Sequence, residues 1–462
     1  MRPWFRSDGE KIFQRVDWLS FWLTTGLALT LYVLTLPPEV TLAWSGVLAT
    51  SAKYGGISAP PGFPLWTLYG WLLIKLVPFS NIAWRLALSS AVAGALACGV
   101  VSLMVSRGAA TIFEASEEFR AIAGKEKSQL RVVCSVVSGM GFAAHQTFWG
   151  QAVMVDDTAL GCLLLSAVFC LLMCWSYRPE RNGFLLTAVL VYGLTLSVNL
   201  MYSVVAPALP LLVMFRRPGL GRDLFFALTV ILGAVLVADH FDRLPDWIKL
   251  PLQLPSLKTA YTVVGAAACC LFVAMTIYTR RLMTHYILVP GVGGLLALGL
   301  MPYLLLPIIS MGNQPTNWGY PRTVEGFIHV VSRGQFERFS PTSDFPTYLR
   351  QILQYGKMTT ESLGWFYSVA AIVPFCFIHR IRSPERGWLL GLLFAFLCLS
   401  LFTLAIMNPP TDRQAIEMVA TFFPASHLIL VLWSGYGLII IGASTRTPKR
   451  PVQIELPLCA DG

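Results

Sequence analysis

Long, unbroken apolar runs recur along the whole of this chain, and they decide what it can fold into. A helix needs roughly 20 apolar residues to cross the hydrocarbon core of a bilayer. Twelve runs of about that length stand out: 19–37, 85–106, 132–148, 158–177, 184–198, 200–215, 223–239, 259–278, 287–310, 364–379, 388–406 and 424–442. Between lipid tails every backbone donor must be satisfied within a helix or a closed barrel. The runs are continuously apolar rather than alternating, which excludes the barrel. The expected fold is therefore all-α and integral to a membrane, with about twelve transmembrane helices. Composition agrees, since 55% of the 462 residues are hydrophobic and only 13% are charged. An ordinary soluble domain carries about 25% charged residues.

A further apolar run, 63–79, is short, carries Lys75 and follows Pro60-Pro61-Gly62. Basic residues gather in cytoplasmic loops, so they decide its placement. If 63–79 lies on the outer surface, the inner segments hold 22 of the 34 Lys and Arg, among them Arg107, Arg131, Arg216, Arg280 and Arg446. Both termini are then cytoplasmic. The expected organisation is one polytopic domain, 1–442, with a short cytoplasmic tail, 443–462. The outer loops 38–84 and 311–363 form its vestibule. The net charge of +10 is spread over short loops, so it reflects membrane topology rather than nucleic-acid binding. The first run leads into Leu36-Pro37-Pro38 without a small-residue cleavage site and reads as a permanent anchor.

Nine of the ten cysteines lie in apolar runs, and Cys459 lies in the tail, so they read as small packing residues rather than bridges or metal ligands. No phosphate-binding glycine loop, zinc histidine pair or nucleophile elbow is present. The candidate chemistry sits in the adjacent carboxylates Asp156 and Asp157, after Trp149-Gly150-Gln151 and just before a long apolar run. Capping of the following helix explains them equally well. Alternatively, one faces a cavity and acts as a base, since neighbouring carboxylates raise each other's pKa. His145, Gln146, Asn199 and His427 fall in or at the ends of spans, where polar groups are costly and usually bond a neighbouring helix.

Several segments resemble the membrane GT-C glycosyltransferases. They are Leu36-Pro37-Pro38-Glu39, Pro60-Pro61-Gly62-Phe63-Pro64, Phe148-Trp149-Gly150-Gln151, Leu306-Pro307, Asn317-Trp318-Gly319-Tyr320-Pro321-Arg322, Ser332-Arg333-Gly334-Gln335 and Phe422-Phe423-Pro424-Ala425-Ser426-His427. The nearest branch looks like a bacterial group of multi-pass proteins that includes a eukaryotic protein O-mannosyltransferase. The resemblance implies a polyprenyl-phosphate-linked sugar as donor, inverting transfer to a protein or glycan acceptor at the non-cytoplasmic face, and residence in a bacterial inner membrane. It implies neither a metal ligand set in this chain nor a nucleic-acid partner. It implies an acidic base, or acceptor-binding residue, in the first outer loop; the substrate-binding candidates are Lys53, Asn199, Asn317, Trp318, Arg322, Arg333 and Gln335. The chain departs from the pattern where that branch carries titratable residues. Trp44 and Val47 stand at acidic positions, Ala59 and Asn199 at histidine positions, and Ile309 at an arginine position.

Two readings follow. One is an active glycosyltransferase whose base has moved to Asp156 or Asp157. The other is a catalytically degenerate relative that binds a lipid-linked glycan or a partner protein. A lipid-linked sugar transporter is a third class, but the chain shows neither repeat symmetry nor midplane charges.

Overall fold

A computed structural model describes residues 12–115, 117–241, 243, 255–333, 341–342, 344–379, 381, 383–410 and 412–446. Among the described residues the fold is helical, and the one β-type pairing is a parallel bridge between Ile57 and Asn317. In chain order the first helices are α1 (Arg15–Leu34), α2 (Ser45–Tyr54), α3 (Pro64–Leu76), α4 (Ile82–Ala115), α5 (Glu117–Arg120), α6 (Gly124–Ala143) and α7 (Gln146–Ala152). The middle of the chain forms α8 (Thr158–Tyr177), α9 (Asn182–Val198), α10 (Ala208–Arg216), α11 (Pro218–His240), α12 (Pro255–Thr279), α13 (Leu288–Leu300) and α14 (Leu305–Met311). The last third adds α15 (Val324–Val331), α16 (Phe345–Leu363), α17 (Trp365–Cys376), α18 (Ser383–Leu397), α19 (Thr403–Met407), α20 (Arg413–Ala420) and α21 (Pro424–Arg446).

Among the described residues, eight helical segments are long and apolar enough to cross a bilayer: Arg15–Leu34, Ile82–Glu114, Thr158–Tyr177, Pro218–His240, Tyr261–Thr279, Leu288–Met311, Glu385–Met407 and Pro424–Arg446. The chain is an integral membrane protein. The four remaining expected runs also fall on helices, but each departs from a plain span. Helix α6 begins among Lys125, Glu126 and Lys127, and α9 has 17 residues. Segment 200–215 divides into a 3-10 turn, Leu200–Val205, and α10, while α17 has 12 residues and contains Pro374. Helix α3 has 13 residues. At 1.5 Å rise per residue it reaches about 20 Å, short of a hydrocarbon core of about 30 Å.

In a bilayer, helix association relies on close packing and interhelical hydrogen bonds, because lipid is as apolar as the helices themselves. Helix α21 shows both. A Cβ at Gly437 would overlap the Ala370 carbonyl, so α21 and α17 meet backbone to backbone. Ser434 donates to the Tyr367 carbonyl at 2.7 Å, and Ser138 of α6 donates to the Val431 carbonyl at 2.8 Å. Helices α4 and α21 are buried along most of their length, whereas α11 and α12 form a peripheral hairpin. Apolar α12 residues such as Val263 (60% exposed) and Ile277 (72%) face outward. Such a surface suits acyl chains and not water. The nine described cysteines are all unbridged; Cys98, Cys134, Cys162 and Cys174 are buried, while Cys269 and Cys270 face outward on α12.

One end of the bundle is tied by a buried ion pair. Arg131 of α6 donates to Asp17 of α1 at 2.6 Å, and Ser106 of α4 donates to the same carboxylate oxygen at 2.6 Å. Arg131 also bonds the Gln14 side chain (2.9 Å) and the Ser106 carbonyl (3.2 Å). Three helices therefore share one charge cluster. Removing one member of a buried pair leaves the other uncompensated, at a cost of about 3–5 kcal/mol. Asp17→Ala is expected to lower the thermal unfolding midpoint of the detergent-purified protein sharply, and Asp17→Leu/Arg131→Met to recover much of it. Equal loss in the single and double variants would refute this account.

Candidate functional site

The candidate site is a cavity of about 480 Å³. That volume lies in the usual range for a small-molecule pocket. Its walls come from places where helices stop. Segment 153–157 links α7 to α8, and Asn199 ends α9 with an extended backbone (φ −153°, ψ 123°). Segment 398–402 is a π turn between α18 and α19, and 421–423 leads into α21. A short loop, 55–63, closes the site beside α2 and contains the cis bond Pro60–Pro61.

The acidic pair divides its tasks. Asp156 Oδ1 accepts the Thr158 backbone N–H at 2.7 Å, so Asp156 caps α8 as the helix-start reading expects. Its own carbonyl accepts the Trp66 indole N–H (2.9 Å) and the Ser90 hydroxyl (3.2 Å), which hold the loop against α3 and α4. Asp157 has no capping bond. Instead, its Oδ2 accepts from Asn199 Nδ2 at 2.8 Å. Asn199 Oδ1 accepts the Met201 backbone N–H at 2.9 Å, so the amide must present its NH₂ to Asp157. Both carboxylates line the cavity. Burial raises the pKa of each. For Asp157 the adjacent charge of Asp156 adds to burial, the Asn199 bond opposes them, and the result is about 8. A carboxyl group poised near the working pH is suited to proton transfer.

The other sequence candidates divide between the cavity and its surroundings. Arg333, with a left-handed backbone (φ 57°), also lines the cavity. Its guanidinium supplies positive charge, because arginine stays protonated. Trp44, Val47 and Ala59 all line the same cavity. Trp318 stands beside Trp44, edge to face, with ring centroids 6.1 Å apart. The bridge behind it joins segments 55–63 and 312–323: Ile57 N–H bonds the Thr316 carbonyl at 2.7 Å, and Trp318 N–H bonds the Ile57 carbonyl at 3.4 Å. A Cβ at Gly56 would overlap Thr316 Oγ1, so this approach requires glycine.

Lys53 lies exposed in the last turn of α2, off the cavity wall. Arg322 is exposed, bonds the Asn313 side chain and packs over Tyr320 at 5.8 Å. Asn317 donates to the Ser310 carbonyl at 3.1 Å, and Ile309 packs near Leu306 and Tyr303. Gln335 lies outside the described residues. Sequence reasoning also missed Gln151 as a wall residue. It is 4% exposed, lines the cavity and donates to the Thr421 carbonyl at 3.1 Å. Its position in Phe148-Trp149-Gly150-Gln151 was the available signal. His145 and His427 are off the wall: His145 accepts the Phe148 N–H at 3.2 Å, and His427 bonds Thr359 at 3.0 Å.

Residues 45–220 match the family model described as the protein O-mannosyl-transferase TMEM260 N-terminal domain. The chain is related to the TMEM260 proteins. Over 76 residues it is 40% identical to protein O-mannosyl-transferase TMEM260 of Mus musculus, which covers 16% of this chain and 11% of that protein. Over 77 residues it is 30% identical to protein O-mannosyl-transferase tmem260 of Dictyostelium discoideum, covering 16% and 9%. The matches thus span about a tenth of the relatives' lengths. The TMEM260-like region contains Asp156, Asp157, Asn199 and Gln151 but not Trp44 or Arg333.

The raised pKa of Asp157 has a thermodynamic consequence. An unfolded aspartate ionises near pH ~3.9. Folding retains that proton, so its stabilising contribution is complete below the unfolded value and is lost as pH climbs through about 8. The unfolding midpoint of the native protein is therefore expected to fall across this window more steeply than that of Asp157→Asn. Parallel pH curves for the two proteins would show that Asp157 is ionised throughout.

Proposed function

We propose that this protein is a membrane glycosyltransferase that moves a mannosyl group from a polyprenyl-phosphate carrier to an acceptor hydroxyl at the non-cytoplasmic face. The observation that carries this reading is Asp157, proton-poised and oriented by Asn199, on the wall of a cavity that also holds Arg333. The relatives' name supplies the sugar, and the placement of basic residues supplies the orientation. All twelve apolar helices, including the short and broken ones, are taken as crossing the membrane around this cavity.

In this mechanism ionised Asp157 takes the proton of the acceptor hydroxyl. The acceptor oxygen forms a bond to the anomeric carbon from the face opposite the carrier. The bond from that carbon to the phosphate oxygen breaks, and the electron pair leaves with the lipid phosphate. Inversion follows from the single displacement. Arg333 compensates the charge growing on the phosphate. Asp156 fixes the start of α8 and, by its charge, keeps Asp157 basic.

A second reading rests on a specific observation. Trp44, Val47 and Ala59 make part of the same wall apolar, at positions where the resemblance drawn from the sequence implies titratable groups. On that reading the protein binds a lipid-linked glycan without transferring it.

Purified protein in lipid nanodiscs, given radiolabelled polyprenyl-phosphate mannose and an acceptor extract, separates the two. Transfer is expected to rise with pH through about 8 as Asp157 ionises. Asp157→Asn is expected to lower it by about 10²–10⁴-fold, the usual worth of a positioned base. Donor binding without turnover would favour the second reading. Undiminished transfer by both Asp156→Asn and Asp157→Asn would remove the acidic pair from the mechanism.

A further inference from the structure

The amphipathicity of α16 is inverted: a stripe of polar side chains is buried and a stripe of large apolar ones is exposed. Gln351, Tyr355 and Thr359 form the buried stripe, four residues apart along the helix. Each is hydrogen-bonded inward. Gln351 donates to the Asn408 side chain and the Pro409 carbonyl, both at 2.9 Å. Tyr355 bonds the Ser426 hydroxyl at 2.9 Å and Thr359 bonds the His427 ring at 3.0 Å, both in the first turn of α21. The second stripe, Phe345, Leu349 and Leu353, has the same spacing and is exposed, Phe345 by 73% and Leu353 by 66%. In water a helix turns these two faces the other way.

The occupant of the apolar face follows from the level at which α16 sits. Ser426 and His427 open the segment Pro424–Arg446, and Asn408 directly follows Glu385–Met407, both long and apolar enough to cross a bilayer. At 23 residues each reaches about 35 Å against a hydrocarbon core of about 30 Å, so their ends lie at the bilayer edge. The exposed apolar series also continues past Gly364 (φ 87°) into α17, where Trp365 (72% exposed), Val369 and Ile372 face outward. Helix α17 itself packs on α21, and tryptophan at the start of an apolar helix is favoured at the membrane–water interface. Charge agrees. Segment 344–363 carries two basic residues, Arg350 and Lys357, and two acidic ones, Asp344 and Glu361, with Lys357 and Glu361 paired at 3.8 Å. A polar flank of both signs and no net charge suits zwitterionic headgroups, and leaves apolar burial as the main attraction.

We infer that α16 is seated in the interfacial layer of the bilayer, with Phe345, Leu349 and Leu353 among acyl chains, and that this seat braces the cavity wall from outside. The brace acts through the inward bonds. Asn408 directly follows α19, which carries the wall residue Thr403, and Ser426 follows the wall residues Pro424 and Ala425. The inference is independent of the proposed transferase and needs no turnover.

Photocrosslinking of the intact chain in phosphatidylcholine nanodiscs tests the seat. p-Benzoyl-phenylalanine replaces Leu349, Leu353, Glu361 or Ile277 one at a time, and Ile277, exposed on α12, calibrates the lipid yield. Leu349 and Leu353 are expected to give phospholipid adducts, read by intact mass, at yields near that of Ile277 and several times that of Glu361. Exchanging part of the phosphatidylcholine for phosphatidylglycerol is expected to leave those yields unchanged. Yields no greater than that of Glu361, or adducts to a second copy of the chain, would overturn the seat. A marked rise with phosphatidylglycerol would overturn apolar burial as its basis. Hydrogen exchange reads the brace. Leu349→Glu/Leu353→Glu is expected to speed amide exchange in α16 and the first turn of α21 by about tenfold while α4 keeps its protection, which shows that the variant folds. Unchanged exchange would overturn the brace. If α4 also loses protection, Leu349→Gln alone decides by the same comparison.

Discussion

Backbone that leaves the α-helical ladder inside a membrane must find other hydrogen-bond partners, and it is tolerated only where protein or a cavity surrounds it. Four irregular segments of the described chain border one cavity. The stretches at 153–157, 199–205, 398–402 and 421–423 all contribute wall residues. The freed groups are met locally: Asn199 takes the Met201 N–H, Asp156 takes the Thr158 N–H, and Gln151 bonds the Thr421 carbonyl. The side chains that repair the broken helices are thus the same ones that give the cavity its polarity. Repair and polarity are hard to separate here: Asp156 bonds the first backbone N–H of α8, while Asp157 is tied to Asn199.

The electrostatics of the cavity follow from that arrangement. Two carboxylates occupy adjacent positions, so ionising both in a buried site is costly. Asn199 offers one hydrogen bond to the charged form of Asp157 and no positive charge. Among the described wall residues Arg333 is basic, and it is carried by a separate segment. The apolar face made by Trp44, Val47 and Ala59 lowers the local polarity further. Burial and the adjacent charge of Asp156 together raise the pKa of Asp157 above the usual carboxylate range.

Much of the membrane architecture was legible in the sequence because a span is a local property: twenty apolar residues in a row mean the same thing in any fold. The runs 158–177 and 424–442 lie within helices of nearly the same extent. What happens inside a run is less local. The π turn at 398–402 and the 3-10 turn after Asn199 sit in uniformly apolar sequence, and packing around the cavity decides them. The pair Asp156-Asp157 was legible from polarity alone. Its link to Asn199 spans 42 positions, and no short-range pattern announces it. Cations were the least legible group. Arg322 and Arg333 look alike in sequence, yet Arg322 packs on Tyr320 within its own loop while Arg333 reaches the cavity wall. A long flexible side chain is placed by its neighbours in space.

The peripheral hairpin of α11 and α12 carries a different implication. Most of its side chains meet lipid instead of protein, so bilayer contact constrains their polarity but not their shape. Leucine, valine or phenylalanine would serve almost equally along that outer face, and the sequence there is free to drift.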